Sequence, residues 1–409
     1  MSAITTRRLA TRSVPAEPVP TTAFLAALAA PGEQAGWWAQ PAFSAAGAGA
    51  AELVTANGEG RFRDLAAALD GRLEDGIAFA GGSFNGRNWT GFEQAAAWVP
   101  QIALIRDENS ARLVATAEQA DELDELLARG REAVAHASAR APIAVAVRAR
   151  EFAPADGEWD AAVRNALSLI ASGEMEKVVL ARRLRLDVDR VPSPWDLAAA
   201  LAERYPSCLC YGVANKGGAF VGASPELLVE LDGLDVHASP AAGTIAAADT
   251  SGLETPKLQH EQKLVVDSVF ETLAPLCEDL HAGPSTAMAA GPVQHLATNI
   301  LGRLAQPAHV LELVSALHPT PAVGGLPRDA AIPFISETEG FARGWYAGPI
   351  GIVRPDGGGA FGVALRGALL GEGRIDLFAG AGIVEGSLAS EERAEVDLKL
   401  GAVANALNL

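Results

Sequence analysis

The chain has 409 residues, of which 49% are hydrophobic and 20% are charged. This composition indicates a globular protein with a large core and excludes a disordered chain. The net charge of −18 repels nucleic acid and anionic membranes, so neither is expected as a partner. The same charge repels anionic substrates at long range. A site for an anion must therefore supply its own positive charge or hold a metal ion.

The cysteines and the N-terminus indicate the compartment. Cys208, Cys210 and Cys277 are too few for a disulfide framework, and their spacing does not match a zinc site. Residues 1–20 are basic but lack the apolar stretch of a secretory signal. The chain also lacks a run of about 18 apolar residues that could cross a membrane. These features predict a cytoplasmic protein whose first 20 residues form a flexible N-terminus.

The N-terminal half, residues 21–156, carries few motifs. Its hydrophobic patterns predict two helices and two strands, over residues 22–30, 116–136, 101–105 and 143–148. A glycine-rich turn at residues 81–86 lacks the lysine and the strand–helix frame of a phosphate-binding loop. A polar segment over residues 151–159 is expected to connect this half to the next.

The second half, residues 157–409, is denser in motifs. Helices are predicted over residues 160–172, 194–205, 256–280, 310–317 and 390–406. Strands are predicted over residues 177–188, 209–214, 219–221, 227–231, 350–354, 361–370 and 375–379. Because consecutive strands are joined by tight turns, the sheets should be mostly antiparallel with helices on the outside. This pattern favours an α+β fold over a doubly wound one.

The last predicted helix places Glu392, Glu395 and Lys399 on one narrow stripe, because residues three and four apart share a helix face. Two carboxylates one turn apart can offer oxygen ligands to a hard divalent cation. Before the helix, Gly380 and Gly382 would let backbone N–H groups come close to an anion. Taken alone, such a stripe is more typical of a solvated surface with pairs of opposite charge.

Glu261 interrupts the apolar stripe of the helix predicted to start at Pro256. A buried, unpaired carboxylate is costly and requires a cation. Together with Glu392 and Glu395 it could form an oxygen-rich site. Mg²⁺ would suit that site better than zinc, because there is no nearby cluster of cysteine and histidine. A structural ion pair or a partly exposed position would also explain this glutamate.

Four other polar residues are candidates for chemistry. Lys177 opens an apolar strand, where a desolvated lysine could act as a base, and Glu226 enters another, where it could be held protonated as an acid. Arg366 lies on a predicted strand with small neighbours and could clamp a carboxylate in bidentate fashion. His318 begins a loop rich in proline and glycine, either as a hydrogen-bonding staple or as the polar wall of a site. Each signal is weak alone, since a lysine at a strand start is usually exposed and an arginine can simply lie at a sheet rim.

The motifs occur in one order along the chain: Lys177-Val-Val-Leu-Ala-Arg, Gly222-Ala-Ser-Pro-Glu226-Leu, Ala242-Gly243-Thr244, His260-Glu261, His318-Pro-Thr-Pro-Ala-Val-Gly-Gly325, Tyr346-Ala-Gly348, Arg366 and Gly380-Ala-Gly-Ile. This series resembles that of the chorismate-utilising enzymes, and most closely the isochorismate synthases. The resemblance covers residues 157–409 densely and touches short segments of the N-terminal half.

The resemblance implies a fold and an activity. Residues 21–409 would form a single large α+β domain of two packed, mostly antiparallel β-sheets with helices on the outside. The substrate would be the dianion chorismate, held with Mg²⁺. The reaction would be its isomerisation to isochorismate, by addition of water at ring C2 and loss of the C4 hydroxyl. The product would feed menaquinone or siderophore synthesis, and the family suggests a monomer.

The resemblance also implies a role for each candidate residue. Lys177 would activate the water, and Glu226 would protonate the departing hydroxyl. Glu261 and Glu395 would be the main Mg²⁺ ligands, with Glu392 close by. The substrate-binding positions would be Gly243, Thr244, His318, Tyr346, Arg366, Gly380, Gly382 and Lys399.

Two alternatives remain beside an isochorismate synthase. Salicylate synthases keep the lysine and the glutamate and then expel pyruvate, whereas members that add ammonia usually have glutamine where Lys177 stands. An inactive relative that serves as a binding subunit is disfavoured, because the main polar residues are all present. One departure from the family pattern is Gln262, where a second histidine is commoner.

Overall fold

The computed structural model describes residues 8–139, 141–246, 255–290 and 293–409. Nine α-helices lie within these ranges: α1 (Thr21–Leu28), α2 (Arg61–Leu69), α3 (Leu123–His136), α4 (Asp156–Ala171), α5 (Pro194–Arg204), α6 (Pro256–Leu273), α7 (Val310–Leu317), α8 (Arg328–Thr338) and α9 (Ala389–Ala406). The same ranges contain 24 strands: β1 (Ala10–Pro15), β2 (Ala35–Gln40), β3 (Phe43–Ala48), β4 (Glu52–Ala56), β5 (Ala78–Gly82), β6 (Ala95–Val99), β7 (Ile102–Asp107), β8 (Ala111–Ala117), β9 (Val147–Ala153), β10 (Lys177–Val188), β11 (Leu209–Asn215), β12 (Gly218–Ser224), β13 (Leu227–Asp232), β14 (Asp235–Ser239), β15 (Ala241–Ala246), β16 (Cys277–Ala282), β17 (Thr286–Ala290), β18 (Val293–Ala297), β19 (Ile300–Leu304), β20 (Gly325–Leu326), β21 (Pro349–Val353), β22 (Gly359–Val363), β23 (Gly367–Gly371) and β24 (Arg374–Ile383).

The described strands form three sheets, of which two are large and antiparallel. The first has 12 strands in the order β1-β8-β7-β3-β2-β11-β12-β23-β24-β10-β20, with β9 also paired to β10. The second has nine strands in the order β16-β19-β14-β13-β22-β21-β5-β6-β4, and the third joins β15, β18 and β17. This architecture confirms the predicted α+β fold class and adds the small third sheet to it.

The two large sheets pack face to face around a shared hydrophobic core. A Cβ atom on Gly36 of β2 would lie 2.6 Å from the ring of Phe79 on β5, so this close approach requires glycine. Along β2 the side chains alternate between faces. Trp38 is buried in the core, whereas the indole of Trp37 donates to the Thr21 hydroxyl of α1 at 3.0 Å. Helix α1 therefore covers the outer face of the first sheet.

Two short links carry the chain between the large sheets at the same place. Glu226 lies in the link from β12 of the first sheet to β13 of the second. Arg366 lies in the link from β22 of the second sheet to β23 of the first. The links are hydrogen-bonded to the neighbouring strands, since Ala223 N donates to the Arg366 carbonyl at 3.3 Å and Val363 N to the Glu226 carbonyl at 3.1 Å. The sheet crossing thus brings an acid and a cation together.

Two predicted elements in the second half were wrong in extent. The strand predicted over residues 361–370 is divided, because the backbone at Arg366 has a φ of 49°, which lies in the left-handed region and ends the strand. Arg366 is therefore in a link and not on a strand. The helix predicted over residues 256–280 ends at Leu273, because Pro275 lies in a short 3₁₀ turn and β16 follows. Its predicted start at Thr255 is observed, with the side chain accepting from Leu258 N at 3.5 Å.

Two predictions around the N-terminal half also need correction. Residues 10–15, which were expected to be flexible, form the edge strand β1 because their backbone pairs with β8. Residues 1–7 of that predicted segment lie outside the described residues. The polar connection expected over residues 151–159 is instead the end of β9 and the start of α4. Among the described helices, none combines the length and the apolar character needed to cross a membrane.

Candidate active site

A cavity opens beside the two links between the sheets. Most of the predicted site residues line it: Glu226, Gly243, Thr244, Glu261, Tyr346, Arg366, Gly380, Gly382 and Lys399. They come from strands β15 and β24, helices α6 and α9, both links and the segment before β21. A concave site in which polar groups converge from distant parts of a chain is typical of ligand binding.

Glycines on β24 let side chains approach the sheet closely. Gly380 and Gly382 lie two residues apart on this strand, so both face the cavity. A Cβ atom on Gly382 would lie 2.2 Å from Glu261 Oε1 and 3.2 Å from Lys177 Cε. Lys177 is fully buried at the start of β10, next to this glycine, although it is not part of the cavity lining.

Each of the three predicted metal-ligating glutamates contacts a lysine. The distances between lysine Nζ and glutamate Oε1 are 3.0 Å for Lys177–Glu261, 2.7 Å for Lys257–Glu392 and 2.7 Å for Lys399–Glu395. These pairs offset the cost of burying carboxylates. The Lys177 contact lacks the geometry of a hydrogen bond, and within the described ranges its Nζ makes no other. A hydrogen-bonding position on this ammonium group is therefore open.

The three glutamates are close enough to influence one another. Burial raises the pKa of Glu395, Lys399 opposes this change, and the charges of Glu261 and Glu392 raise the pKa further. Carboxylate oxygens are the ligands that Mg²⁺ prefers, so the chemistry of this set suits the predicted ion. In the part of the chain that the structure describes, no three acidic, histidine or cysteine residues are yet arranged around one point. A metal ion at these glutamates would therefore compete with their lysine partners.

Glu226 has the properties of a proton donor. Its side chain is only 2% exposed. Burial raises its pKa to about 8, against the opposing charges of Lys177 and Lys399. Its carboxyl group is therefore mostly protonated near neutral pH, as the role predicted for it requires.

Arg366 is held by His295, a residue that the sequence analysis missed. An Nη2 atom of Arg366 hydrogen-bonds to His295 Nε2, and His295 Nδ1 lies 3.1 Å from Thr244 Oγ1. Because a guanidinium only donates, Nε2 accepts, and we assign the ring proton to Nδ1, which donates to the Thr244 hydroxyl. Burial, followed by the charges of Arg366 and Lys399, lowers the pKa of His295 well below its usual value. A neutral histidine thus orients the arginine.

The sequence contains one local signal for His295. It lies on β18 between Val293 and Ala297, which are buried on the same face of the strand. A polar residue at an inward position of an apolar strand needs a partner, and the pattern could have revealed this. The surrounding residues carry no recognisable motif, so the identity of that partner could not be read from the sequence.

Tyr346 forms an aromatic part of the cavity. Its ring stacks on Phe378 with 5.2 Å between the centroids. Burial raises the pKa of Tyr346 above its usual value, so the phenol keeps its proton. Arg343, another lining residue that the sequence analysis did not name, donates to the Val179 carbonyl at 2.8 Å and to Glu339 at 2.9 Å. The buried Glu339–Arg343 pair fixes the strand that carries Lys177.

His318 is not part of the cavity lining. Its Nε2 lies 3.1 Å from the Phe84 carbonyl, to which it donates, and burial lowers its pKa to about 3. This side chain fastens its loop to the turn at residues 81–86, which was the other interpretation offered by the sequence. The loop still contributes to the site through Ala322 and Val323, which line the cavity.

The chain belongs to the family of chorismate binding enzymes, whose sequence profile matches residues 2–408. The family resemblance predicted from the motif order is thereby confirmed. The chain is 32% identical over 410 residues to the salicylate biosynthesis isochorismate synthase of Pseudomonas aeruginosa, covering 91% of this chain and 84% of that protein. It is 32% identical over 352 residues to the isochorismate synthase MenF of Bacillus subtilis, covering 81% of this chain and 74% of that protein.

Solved structures support the same relationship. MenF, the menaquinone-specific isochorismate synthase from Escherichia coli, matches with a TM-score of 0.83 at 26% identity, covering 98% of this chain and 95% of that chain. The anthranilate synthase component I from Streptococcus pneumoniae matches with a TM-score of 0.75 at 22% identity, covering 88% of this chain and 92% of that chain, which shows the common fold alone.

Proposed function

We propose that this protein is an isochorismate synthase, an isomerase that converts chorismate to isochorismate. The observation that carries the proposal is the presence of a protonated Glu226 and the cation Arg366 in one cavity, where two links between the sheets meet. Its relatives from Pseudomonas aeruginosa and Bacillus subtilis, both isochorismate synthases by name, support it. A dianion entering a chain of charge −18 needs such a local cation.

The bond-making steps fall to Lys177 and Glu226. Lys177, once it has lost a proton to become the neutral amine, would accept a hydrogen bond from a water molecule at the open position on Nζ and take a proton as the water oxygen attacks ring C2. The ring double bonds shift, and the C4–O bond breaks. Glu226 would give its proton to the departing hydroxyl, which leaves as water. One water is consumed and one is released, so the net reaction is an isomerisation.

The remaining lining residues would bind the substrate. Arg366, oriented by His295, would pair with a substrate carboxylate together with Tyr346 and the backbone N–H groups near Gly380 and Gly382. The second carboxylate would meet the segment of Gly243 and Thr244, and Lys399, whose Nζ donates to the Gly380 carbonyl at 2.9 Å, would supply a further positive charge.

We propose Mg²⁺ as the cofactor, with Glu261 and Glu395 as its main ligands and Glu392 close by. The support is the donor chemistry of three neighbouring carboxylates whose charges already raise the pKa of Glu395. When bound, the ion would neutralise a carboxylate of the substrate. Because metal and dianion would each offset the charge of the other, we expect them to bind with mutual help.

Product analysis tests this function. The purified protein is incubated with chorismate and MgCl₂, and the products are separated by chromatography. Isochorismate alone is the expected result. Salicylate with pyruvate would instead show a salicylate synthase, and a folded protein without turnover would show a binding subunit. A cytoplasmic location, a monomeric state and a product that enters menaquinone or siderophore synthesis are further proposals. Size-exclusion chromatography with light scattering tests the monomer.

A further inference from the structure

We propose that Gln262 is a positioning residue for the substrate, because it fixes the segment that carries Gly243 and Thr244 against the cavity. This inference rests on the proposed function only in naming chorismate as the ligand. Gln262 follows Glu261 on α6 but does not line the cavity itself, and its side chain is 1% exposed. It would act through the residues that it holds.

The Gln262 amide joins three elements. Its Oε1 accepts from Ala242 N at 2.7 Å, and its Nε2 donates to the Pro240 carbonyl at 3.1 Å and to Thr298 Oγ1 at 2.9 Å. These partners fix the orientation of the amide. If the amide were reversed, its NH₂ group would face the N–H of Ala242, and its oxygen would face the carbonyl oxygen of Pro240. A buried amide with three satisfied positions is a rigid fastening.

The sheet supports this segment only incompletely, which gives the contact with Gln262 its importance. The pairing of β15 with β18 is irregular between Ala242 and Thr244, so Gly243 has no partner residue on β18. Gly243 also has a φ of 65°, which favours glycine. Such an irregularity redirects the side chain that follows it, here Thr244. The hydrogen bond from Ala242 N to Gln262 ties the residue before this irregularity to α6.

The position of this segment also affects Arg366, the residue proposed to bind a substrate carboxylate. Residues Ala242, Gly243 and Thr244 line the cavity. Thr244 Oγ1 accepts from His295, whose other ring nitrogen accepts from Arg366. A shift of the segment would therefore alter both its own contact with the ligand and the orientation of the arginine. Lys177 and Glu226 lie on other elements and would stay in place.

The first test replaces Gln262 with residues of matched size. Gln262→Met keeps the length of the side chain and removes all three hydrogen bonds. We expect KM for chorismate to rise roughly tenfold or more, with kcat within about threefold of the original, because binding is lost equally from ground and transition states. Gln262→His can restore one donor and one acceptor and should recover part of the loss in KM. Lys263→Met, on the exposed side of the same helix, should leave KM unchanged.

The outcomes separate this inference from the proposed function. An unchanged KM in Gln262→Met, or a fall in kcat alone, would overturn the positioning role. If Gln262→Met does not fold, as judged by circular dichroism, the partial rise in KM of Gln262→His decides the question. If the unaltered protein does not turn over chorismate, the proposed function fails. In that case the dissociation constant of chorismate, measured by calorimetry for the variants, still tests the role of Gln262.

Discussion

At the scale of single residues, we expect the burial of Glu226 to set the alkaline limit of the proposed reaction. Burial raises its pKa to about 8, and the acid must carry a proton to protonate the leaving hydroxyl. The active fraction of the free enzyme therefore falls as the pH rises through that value. We expect kcat/KM to decline about tenfold per pH unit above the pKa. Initial rates of isochorismate formation between pH 6 and pH 10 measure this profile.

A variant separates the acid from other causes of an alkaline limit. Glu226→Gln keeps the shape of the side chain but cannot donate a proton to the hydroxyl, so we expect kcat to fall by about 100-fold or more. Chorismate should still bind, because Arg366, the proposed partner of a substrate carboxylate, is unchanged. A kcat/KM that stays flat up to pH 10 in the unaltered protein would contradict the assignment of Glu226.

Lys257 should limit the affinity for Mg²⁺. Its Nζ lies 2.7 Å from Glu392, whose side chain is buried, so a metal that uses this carboxylate must displace the ammonium group. Because Lys257 is partly exposed, its contact is worth about 1 kcal/mol, or about fivefold in affinity. We expect Lys257→Gln to bind Mg²⁺ more tightly by roughly this factor in calorimetry without chorismate.

A matched control is available on the same helix. Lys263 is exposed and pairs with Asp267 on the surface, so Lys263→Gln should leave the affinity for Mg²⁺ unchanged. Weaker binding by Lys257→Gln would show that the lysine supports the metal site and does not compete with the ion. The melting temperature of Lys257→Gln without metal should fall, because a buried carboxylate has lost its partner.

At the scale of the elements, sequence patterns located seven of the nine described helices, but fewer than half of the 24 described strands and not the sheet crossing. The pattern of β10 was clear, because apolar and charged residues alternate from Leu184 to Val188. Residues 361–370 look like one continuous strand, since small and apolar residues continue through Leu365. The break at Arg366 depends on a tertiary contact, in which Tyr211 donates from its hydroxyl to the Leu365 carbonyl at 2.9 Å. Local patterns contain no information on such a contact.

In the candidate site, too, some residues could be predicted from the sequence and others could not. Lys177, Glu226 and Arg366 could be nominated because each lies in a short motif with a fixed neighbour pattern. Lys257 and His295 could not, since their importance arises only when α6 meets α9 and when β18 meets the link between the sheets. For His318 the sequence left two interpretations open, because a rigid loop next to a histidine fits a site and a structural staple equally well.

Replacement by alanine should be harmful at Gly382 of β24 and favourable at Gly401 of α9. An alanine at position 382 would place its Cβ 2.2 Å from Glu261 Oε1, so this side chain must move. We expect Gly382→Ala to lower kcat about tenfold or more, since a misplaced group in an active site costs this much or more. A Cβ atom on Gly401 would have open space around it, with no neighbouring atom within 4 Å, and Gly401→Ala should stabilise α9 by about 0.5–1 kcal/mol.

Both glycine variants are compared with the unaltered protein by measuring kcat and the melting temperature. Gly401→Ala serves as the control for Gly382→Ala, because it adds the same methyl group away from the cavity. We expect it to raise the melting temperature and to leave kcat unchanged. If Gly382→Ala turned over chorismate at the original rate, the close approach of Glu261 to β24 would have no part in the reaction.

At the scale of the whole molecule, the two halves of the sequence do not correspond to two structural units. Strand β2 of the first half pairs with β11 of the second, with Trp37 opposite Gly212. In the other large sheet, β5 of the first half pairs with β21 of the second, with Ala80 opposite Gly351. Each large sheet therefore needs both halves, although the motifs are concentrated in one of them.

This interleaving predicts how the protein unfolds. We expect the full chain to show one cooperative urea transition, with coincident midpoints for tryptophan fluorescence and far-ultraviolet circular dichroism. A fragment of residues 157–409 contains every proposed site residue, but β11 and β21 would each lose one neighbouring strand and expose core faces to water. We expect this fragment to lack a cooperative transition. A fragment that unfolded cooperatively with the midpoint of the full chain would instead establish the second half as an independent domain, and the first half would then be dispensable for the site.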